Sequence, residues 1–462
     1  MTLEDTIAAI ATPLGTGGLG IIRVSGAKAE YVARILFKPS KKITDFKTHH
    51  LYHGDIIAPD SGVTLDEVLL SLMKKPSSYT GEDTLEIYCH GGALILQAVL
   101  YEIIKTGCRP ALPGEFTKRA FLNNRLDLSQ AEAVSDLIMA KTDKGRLIAL
   151  SHLKGKLSEK IESLRGRIIA VLAFLEVSID FCEDEASCDN ISATTGIATD
   201  LSSIIQELHH LLATYEQGKI IRNGANVVIA GKPNVGKSSL LNALLGEKRA
   251  IVTPIPGTTR DFIEEFINIK GVPVKLTDTA GIRTPENAIE REGIELVGNK
   301  LSLADLVIII LDGSECLTDD DRIIINGNKN RNILIALNKS DLPLRADIHE
   351  LETILPDIDI LQISAKYGQG LAQLKDAIHK AVIGCDAEVS PSLVIANIRH
   401  KIALENTLSY LSRAMKGALD NLPAELIAID VRDALASLGE IISKTTNDDI
   451  LNEIFSSFCI GK

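Results

Sequence analysis

The spacing of apolar and polar positions changes rhythm along the chain. From residue 1 to about 120, short runs such as Ile7–Ala11, Gly20–Val24 and Thr84–Tyr88 are broken by Thr12-Pro13, Ser25-Gly26 and Gly91-Gly92. That pattern predicts short strands and helices joined by turns. Between Leu126 and Ile179 proline is absent, and apolar residues recur at three- and four-residue steps. Ile161, Leu164, Ile168, Val171, Leu172 and Leu175 then share one helix stripe. An acidic break, Glu183–Asp189, precedes a further helical stretch expected at about 195–217. Beyond Asn223-Gly224 the runs Val227–Ala230, Pro273–Thr277, Leu306–Leu311, Ile333–Leu337 and Ile360–Ile363 alternate with helical segments. Continuous apolar runs of that length are what a parallel sheet covered on both faces requires. After Gly384 helices return, at about 393–418, 423–442 and 446–457.

This order predicts a multidomain α/β protein. Residues 1–120 form an N-terminal α+β domain, 121–222 and 385–462 two parts of an all-α helical domain, and 223–384 an α/β domain inserted between them. Two helical blocks flanking one α/β unit are most simply a single domain carrying an insertion. No internal repeat or low-complexity tract interrupts the scheme.

Composition narrows the setting. A chain of 462 residues with 45% apolar and 24% charged residues is ordinary for a soluble protein of several domains. The net charge of −12 and pI near 5.4 argue against non-specific binding to nucleic acid or anionic membrane. Any RNA would have to be gripped locally. Basic and acidic groups balance in residues 1–120, so the negative excess comes from the other segments. Seven scattered cysteines, an acidic start at Met1–Asp5 and no apolar run of 18 residues predict a cytoplasmic protein without a membrane anchor.

Gly231-Lys232-Pro233-Asn234-Val235-Gly236-Lys237-Ser238 matches G-x-x-x-x-G-K-S/T, after a strand and before the helical run Ser239–Leu245. Its backbone N–H groups are expected to cradle phosphates, with the Lys237 ammonium on the β/γ-phosphates and the Ser238 hydroxyl on Mg²⁺. Asn338-Lys339-Ser340-Asp341 has the N-K-x-D form that reads guanine. The Asp341 carboxylate accepts from N1–H and the 2-amino group, donors that adenine lacks, which argues against an ATPase or P-loop kinase. Lys339 can lie along the base, and Ser364-Ala365-Lys366 resembles the loop whose backbone reads the guanine O6. Asp278-Thr279-Ala280-Gly281 supplies an acid for the magnesium water shell and a glycine near the γ-phosphate. Thr259, in Thr258-Thr259, is expected to complete the Mg²⁺ shell. The predicted activity is GTP hydrolysis. Ile282 follows the glycine where Ras-like GTPases carry a water-orienting glutamine, so another group must position the water.

Gly231–Leu245, reading GKPNVGKSSLLNALL, and Thr253–Asp261, reading TPIPGTTRD, resemble the potassium-dependent bacterial GTPases of the MnmE (TrmE) type. The two ends, DTIAAIATPLGTGGLGIIRVSG at Asp5–Gly26 and IFSSFCIGK at Ile454–Lys462, resemble that family's ends, so the likeness spans essentially the whole chain. The resemblance implies a Ras-like GTPase domain inserted in the helical domain. It implies modification of the wobble uridine U34 of certain tRNAs to the 5-carboxymethylaminomethyl form, with an FAD-containing partner of the MnmG (GidA) type. It implies a K⁺ ion held by Asn234 with Thr253, Ile255 and Thr258, within a nucleotide-contacting loop that includes Pro254, Pro256 and Gly257. Glu290 matches the glutamate that orients the attacking water; a solvated carboxylate beside Arg291 is the plainer reading of the residue itself.

The N-terminal domain resembles the family's folate-binding, dimerising module. By that resemblance Arg23, Glu86, Arg125 and Lys462 match contacts to 5-formyltetrahydrofolate, a one-carbon donor analogue; Arg125 stands where many members carry lysine. A structural ion pair is the alternative for Arg23 and Glu86. The resemblance also implies a homodimer through this domain and a heterotetramer with the FAD protein. Gly15-Thr16-Gly17-Gly18-Leu19-Gly20 formally fits G-x-G-x-x-G but precedes a strand, so it is not a dinucleotide loop. Cys459 in Cys459-Ile460-Gly461-Lys462 does not read as a lipidation site, given its glycine and terminal lysine. It is either a nucleophile or hydrogen-bonding group near the folate, or a buried apolar residue after Phe455 and Phe458. His90 reads as structural. A regulatory GTPase of ribosome assembly would share the G-domain motifs but would leave Arg23, Glu86 and the tail unexplained.

Overall fold

The computed structural model describes residues 5–13, 15–180, 190–247, 266–278, 304–356, 358–384, 393–442, 448–456 and 458–461. The alternating N-terminal region forms strands β1 (Ile7–Ile10), β2 (Gly17–Ser25), β3 (Phe37–Pro39), β4 (Leu51–Ile57), β5 (Thr64–Met73), β6 (Thr84–Gly91) and β7 (Arg109–Pro110). They make one seven-stranded sheet in the order β3-β4-β5-β6-β2-β1-β7. Ile22, Val24, Leu70, Leu72, Leu85 and Ile87 point to one face, where they pack on Val32, Ala33, Val99 and Ile103 of helices Ala29–Leu36 and Ala93–Lys105. Each such side chain contributes roughly 1.5–3 kcal/mol by leaving water. The glycine-rich run opens strand β2, and its partner Gly91 shows why small residues are needed. A Cβ on Gly91 would lie 2.4 Å from the Gly17 carbonyl oxygen. These glycines serve close backbone approach within a sheet.

The expected helical stripe becomes the core of a bundle. Ile161, Leu164, Ile168, Val171 and Leu175 of helix Lys156–Asp180 pack with Leu201, Ile204 and Leu208 of helix Asn190–Ala213. Leu404 and Leu411 of helix Ile398–Leu419 and Val431 and Leu438 of helix Ala424–Gly439 complete it. Chain segments on either side of the α/β unit thus share one core. The helix expected to run unbroken to about 217 instead divides at Thr214. There Thr214 Oγ1 donates to the Leu211 carbonyl at 2.7 Å and accepts from the Ile395 N–H at 3.0 Å. A second helix, Tyr215–Asn223, follows, and Gly224 ends it at φ +93°. The helix expected from about 393 starts only at Ile398, capped by the Asn397 side chain, because Val394 to Ala396 run buried beside Thr214.

Strands β8 (Ala225–Ala230), β9 (Phe266–Ile269), β10 (Val272–Asp278), β11 (Leu306–Asp312), β12 (Ile333–Asn338) and β13 (Ile360–Gln362) build the second sheet. It has six strands in the order β13-β12-β11-β8-β10-β9, all pairings parallel except β9 with β10. The chain enters and leaves this unit at one place: Gln217 Nε2 donates to the Ile383 carbonyl at 3.4 Å, and Ile148, Ile221 and Val394 form a small shared core. Lys141 adds a cation–π contact, its Nζ 3.4 Å from the Phe266 ring centroid. A P-loop α/β domain is therefore inserted into a helical domain that follows an α+β domain. No helix among the described residues is long and apolar enough to cross a membrane.

The last helix, Asp448–Ser456, does not join the bundle. Its Leu451 and Phe455, with Phe458, pack on Phe121 and on Leu128, Ala131 and Val134 of helix Leu128–Met139, where the N-terminal and helical domains meet. From the N-terminal side, Lys118 Nζ donates to Asn452 Oδ1 at 2.7 Å. The tail beyond it is thereby brought to the N-terminal sheet.

Candidate functional site

Parallel strands β8, β11 and β12 end side by side, with Ala230 opposite Ile309 and Asp312 opposite Asn338. Their carboxyl ends form the rim where ligands bind in open α/β sheets. The Gly231–Lys237 loop leaves β8 there and runs into helix Lys237–Glu247. Gly231 at φ +153° and Gly236 at φ +102° turn the backbone inward. A Cβ would lie 2.4 Å from the Ile310 oxygen at Gly231 and 2.2 Å from Asn338 Nδ2 at Gly236. The loop thus tolerates no side chain at either point, and it runs into a helix N-terminus of the kind suited to phosphate. Lys237 is buried, and its ammonium donates to the Gly231 and Lys232 carbonyls at 2.9 and 2.7 Å, inside the loop. Val235 anchors the loop in the core, while Asn234, at φ +65°, is exposed on its rim. Ser238 and Ser239 are exposed on the first helical turn, where the Ser238 hydroxyl is a hard oxygen donor of the kind Mg²⁺ takes.

Asn338 joins this loop to two others. Its Nδ2 donates to the Val235 carbonyl at 2.7 Å, and its Oδ1 accepts from the Ala365 N–H at 2.9 Å. Ser364 Oγ donates to Asp341 Oδ1 at 2.6 Å, so that carboxylate is aimed by a buried hydroxyl. Lys339, at φ +65°, is ion-paired with Asp312 at the end of β11. Burial alone would raise the Asp312 pKa, but the Lys339 ammonium and the Ser314 donors outweigh it and hold the carboxyl below its usual range. Lys366 is exposed, its ammonium 5.0 Å from the Tyr367 ring centroid. The structure therefore gathers Val235, Gly236, Lys237, Asn338, Asp341, Ser364 and Ala365 into one hydrogen-bonded rim. Asp312 was not singled out from sequence; its position as the polar end of the apolar run Leu306–Leu311 was the available signal.

Strand β10 places Asp278 opposite Ile229, one residue before the end of β8. Thr253, Pro254, Ile255, Pro256, Gly257, Thr258, Thr259, Thr279, Ala280, Gly281, Glu290 and Lys462 lie outside the described residues.

A second cluster forms on the N-terminal sheet. Arg23 on β2 and Glu86 on β6 are directly paired across strands. Arg23 Nε and Nη2 lie 2.9 and 2.8 Å from Glu86 Oε1, and the Tyr88 hydroxyl donates to Glu86 Oε2 at 2.7 Å. The ion pair expected as the alternative is thus present, and Oε2, which accepts from the Tyr88 hydroxyl, keeps a lone pair for a further donor. Burial first, and then the bond to Glu86, push the Tyr88 hydroxyl up to about 12. The Arg23 guanidinium lies 5.4 Å from the Tyr79 ring centroid and 5.7 Å from that of Phe116. Its Nη1 donates to the Gly461 carbonyl at 3.1 Å, tying the C-terminal tail to the sheet. Gly461 has φ +91°, and a Cβ there would lie 2.6 Å from the Ile10 oxygen. Cys459, partly exposed, accepts from the Gly114 N–H through its carbonyl at 3.4 Å. Arg125 lies on a neighbouring feature. It is exposed and borders a depression lined by His49, Met73, Pro76, Ser77, Ser78 and Tyr79. Tyr79 touches both features. Tyr79, Tyr88 and Phe116 were not predicted; Tyr88, two residues along β6 from Glu86 and so on the same face, was the legible one. His90 bonds Asp66 through Nδ1 at 2.7 Å, a pairing that raises its pKa. Among the described residues no group of three or more His, Cys, Asp or Glu side chains is placed to hold a metal ion.

Two family models match the chain: the MnmE helical domain over residues 128–459 and the GTP-binding protein TrmE N-terminus over residues 6–125. The tRNA modification GTPase MnmE of Syntrophus aciditrophicus is 53% identical over 460 residues, covering 100% of each chain. The proteins of that name from Desulforamulus reducens and Acetivibrio thermocellus are 45% and 44% identical, again covering 100% of each chain. Among solved structures, a variant of Aquifex aeolicus Era bound to GDP and aluminium fluoride is 29% identical, covers 40% of this chain and 67% of its own, and has a TM-score of 0.28. With full-length identity at this level and both domain models matched, the chain belongs to the MnmE family of tRNA modification GTPases.

Proposed function

We propose that this GTP hydrolase acts in tRNA modification by a potassium-dependent reaction. With an FAD-containing partner of the MnmG (GidA) type, it converts the wobble uridine U34 of certain tRNAs to 5-carboxymethylaminomethyluridine, using a folate one-carbon donor. The observation that carries this reading is the joint presence of a braced guanine-nucleotide rim and a C-terminal tail bonded to the Arg23–Glu86 pair.

In the G domain the loop N–H groups from Asn234 to Ser239 and the Lys237 ammonium hold the phosphates. Asp341, oriented by Ser364, accepts from the guanine edge. Ser238 and Thr259 are the Mg²⁺ residues, Asp278 is the acid of its water shell, and Asn234, Thr253, Ile255 and Thr258 are the K⁺ residues. When bound, the two cations neutralise the charge that builds on the phosphate oxygens, a task for which an arginine serves elsewhere. Glu290 orients the attacking water. On the N-terminal sheet Arg23, Glu86, Arg125 and Lys462 hold the folate, with Cys459 beside them, and this domain pairs two copies of the chain.

GTP turnover by the purified protein, compared in K⁺ and Na⁺, tests the hydrolytic half. Turnover should be at least about tenfold faster in K⁺, and Asn234→Ala should erase the difference, since one coordinating oxygen is lost from a charge-stabilising site. Equal rates in both salts reject the potassium mechanism. Nucleoside analysis of tRNA from a deletion strain tests the other half. The modified wobble uridine should vanish and return with the intact gene. An unchanged nucleoside profile would instead fit a regulatory GTPase.

A further inference from the structure

Residues 38–53 carry Lys38, Lys41, Lys42 and Lys47 with His49, His50 and His53, against the single acid Asp45. This is a concentrated basic run in a chain whose net charge is −12. It occupies β3, β4 and the loop between them, and the fold brings the end of β5 against it. The His49 N–H donates to the Leu72 carbonyl at 3.0 Å, and the Lys74 N–H to Thr48 Oγ1 at 3.1 Å. Lys75 therefore joins the same surface. Three neighbouring acids are already engaged, Glu30 with Arg34 and Lys74, Asp45 with Arg34, and Glu67 with His53. Asp55 stands opposite Lys38 across the strands, and Asp83 accepts from the Lys75 N–H at 2.9 Å, so the lysines outnumber the acids without excluding them. Lys41, Lys42, Lys47 and Lys75 are exposed and make no ion pair with a described residue. Next to them lies the depression bordered by His49, Ser77, Tyr79 and Arg125, and the Tyr79 ring carries the Arg23 guanidinium.

We propose that this face of the N-terminal domain is the local grip for structured RNA, its lysines on the phosphate backbone and its depression leading a nucleotide toward Tyr79 and Arg23. The assignment rests on the tRNA reading and names the surface that serves it. Lysine clusters interspersed with hydroxyl and imidazole groups suit phosphate and sugar contacts, which position a nucleic acid without reading its sequence. The patch also offers an acidic chain a local way to engage a polyanion, since residues 38–53 hold four lysines against one acid. An anionic membrane would need a broader apolar face for insertion than the exposed Leu51 supplies beside the lysines, and the residues bordering the depression are mostly polar.

The test uses the full-length protein with all four of Lys41, Lys42, Lys47 and Lys75 changed to Gln, and a second variant with all four changed to Arg. Affinity for unmodified tRNA is measured across a salt series. The Gln variant should bind on the order of 10²-fold more weakly at low salt, and its slope of log affinity against log salt should fall by about 3. The Arg variant should bind as the natural protein does, and GTP turnover should be the same in all three. Loss of binding in both variants, or an unchanged slope in the Gln variant while the natural protein binds tRNA, overturns the patch and leaves the tRNA reading standing. Failure of the natural protein to bind tRNA, with or without its FAD partner, overturns both. Phosphatidylserine vesicles captured by the natural protein and not by the Gln variant, with tRNA binding equal in the two, would assign the patch to membrane and likewise overturn it.

Discussion

Asp341→Asn should weaken GTP binding by on the order of 10³-fold while favouring xanthosine triphosphate. In the proposed role the carboxylate offers two acceptors to the guanine N1–H and 2-amino donors. Its orientation is set in advance by the 2.6 Å bond from Ser364 Oγ, itself fully buried beside the Asn338 brace. An amide in its place turns one acceptor into a donor, which meets a guanine donor head-on and leaves both unsatisfied, away from water. Xanthine carries a carbonyl in place of the 2-amino group, so the same amide donor finds a partner. Calorimetric titration with both nucleotides reads the switch directly. An unaltered preference for GTP would remove Asp341 from the base-reading role, whatever happened to turnover.

Glu132→Ala should destabilise the helical region by about 3–5 kcal/mol, the usual cost of stranding a buried charge partner. Glu132 lies on helix Leu128–Met139 and is nearly inaccessible. Arg399 Nε and Nη2 donate to its two oxygens at 2.9 Å each, and His400 Nε2 lies 2.9 Å from Oε2. Arg399 Nη2 also donates to the Ile441 carbonyl at 3.1 Å, so the cluster joins segments from both sides of the inserted domain. Burial would raise the Glu132 pKa, yet His400 and Arg399 outweigh it and bring it down to about 2. Nearby His152 is lowered to about 4, by burial first and then by the charge of His400.

Both shifts act in the same direction on stability. His152 is held below its ordinary 6.5, so the unfolded chain takes up its proton first, and stability falls as pH drops from 6.5 toward 4. Glu132 adds a second loss between its ordinary 4.5 and about 2. Urea unfolding followed by helical circular dichroism should show the midpoint of the helical transition falling between pH 7 and pH 4. In Glu132→Ala the midpoint should be low already at pH 7. A midpoint that ignores both the substitution and the pH would show that these buried groups carry little stability.

The residues differ in how far they could be read in advance. The stripe from Ile161 to Leu175 was legible because helical periodicity is local, and all of its fully buried members fall in the bundle core. That Asn338, Asp341 and Ser364 belong together was legible because the N-K-x-D and Ser-Ala-Lys patterns each follow a strand, and the structure joins them by hydrogen bonds. The break at Thr214 was not, because its cause is a hydroxyl shared with Ile395, far along the chain. Asp312 escaped notice for the same reason: its partner Lys339 reaches it only once β11 and β12 lie side by side.

By itself, then, the sequence determined the kinds of element, their order, the insertion of an α/β unit between two helical blocks, and the guanine-nucleotide chemistry of that unit. Each depends on periodicity or on residue types within a few positions of one another. Only the tertiary structure decided that the last helix packs outside the main bundle core, where the N-terminal and helical domains meet, and that Gly461 meets Arg23 beside the Glu86 carboxylate. Only it brought Lys47 and Lys75 onto one face. Those outcomes depend on which distant surfaces exclude water together, and backbone hydrogen bonds made across long loops then hold them in register. That information resides in the packed chain as a whole, not in any local run of residues.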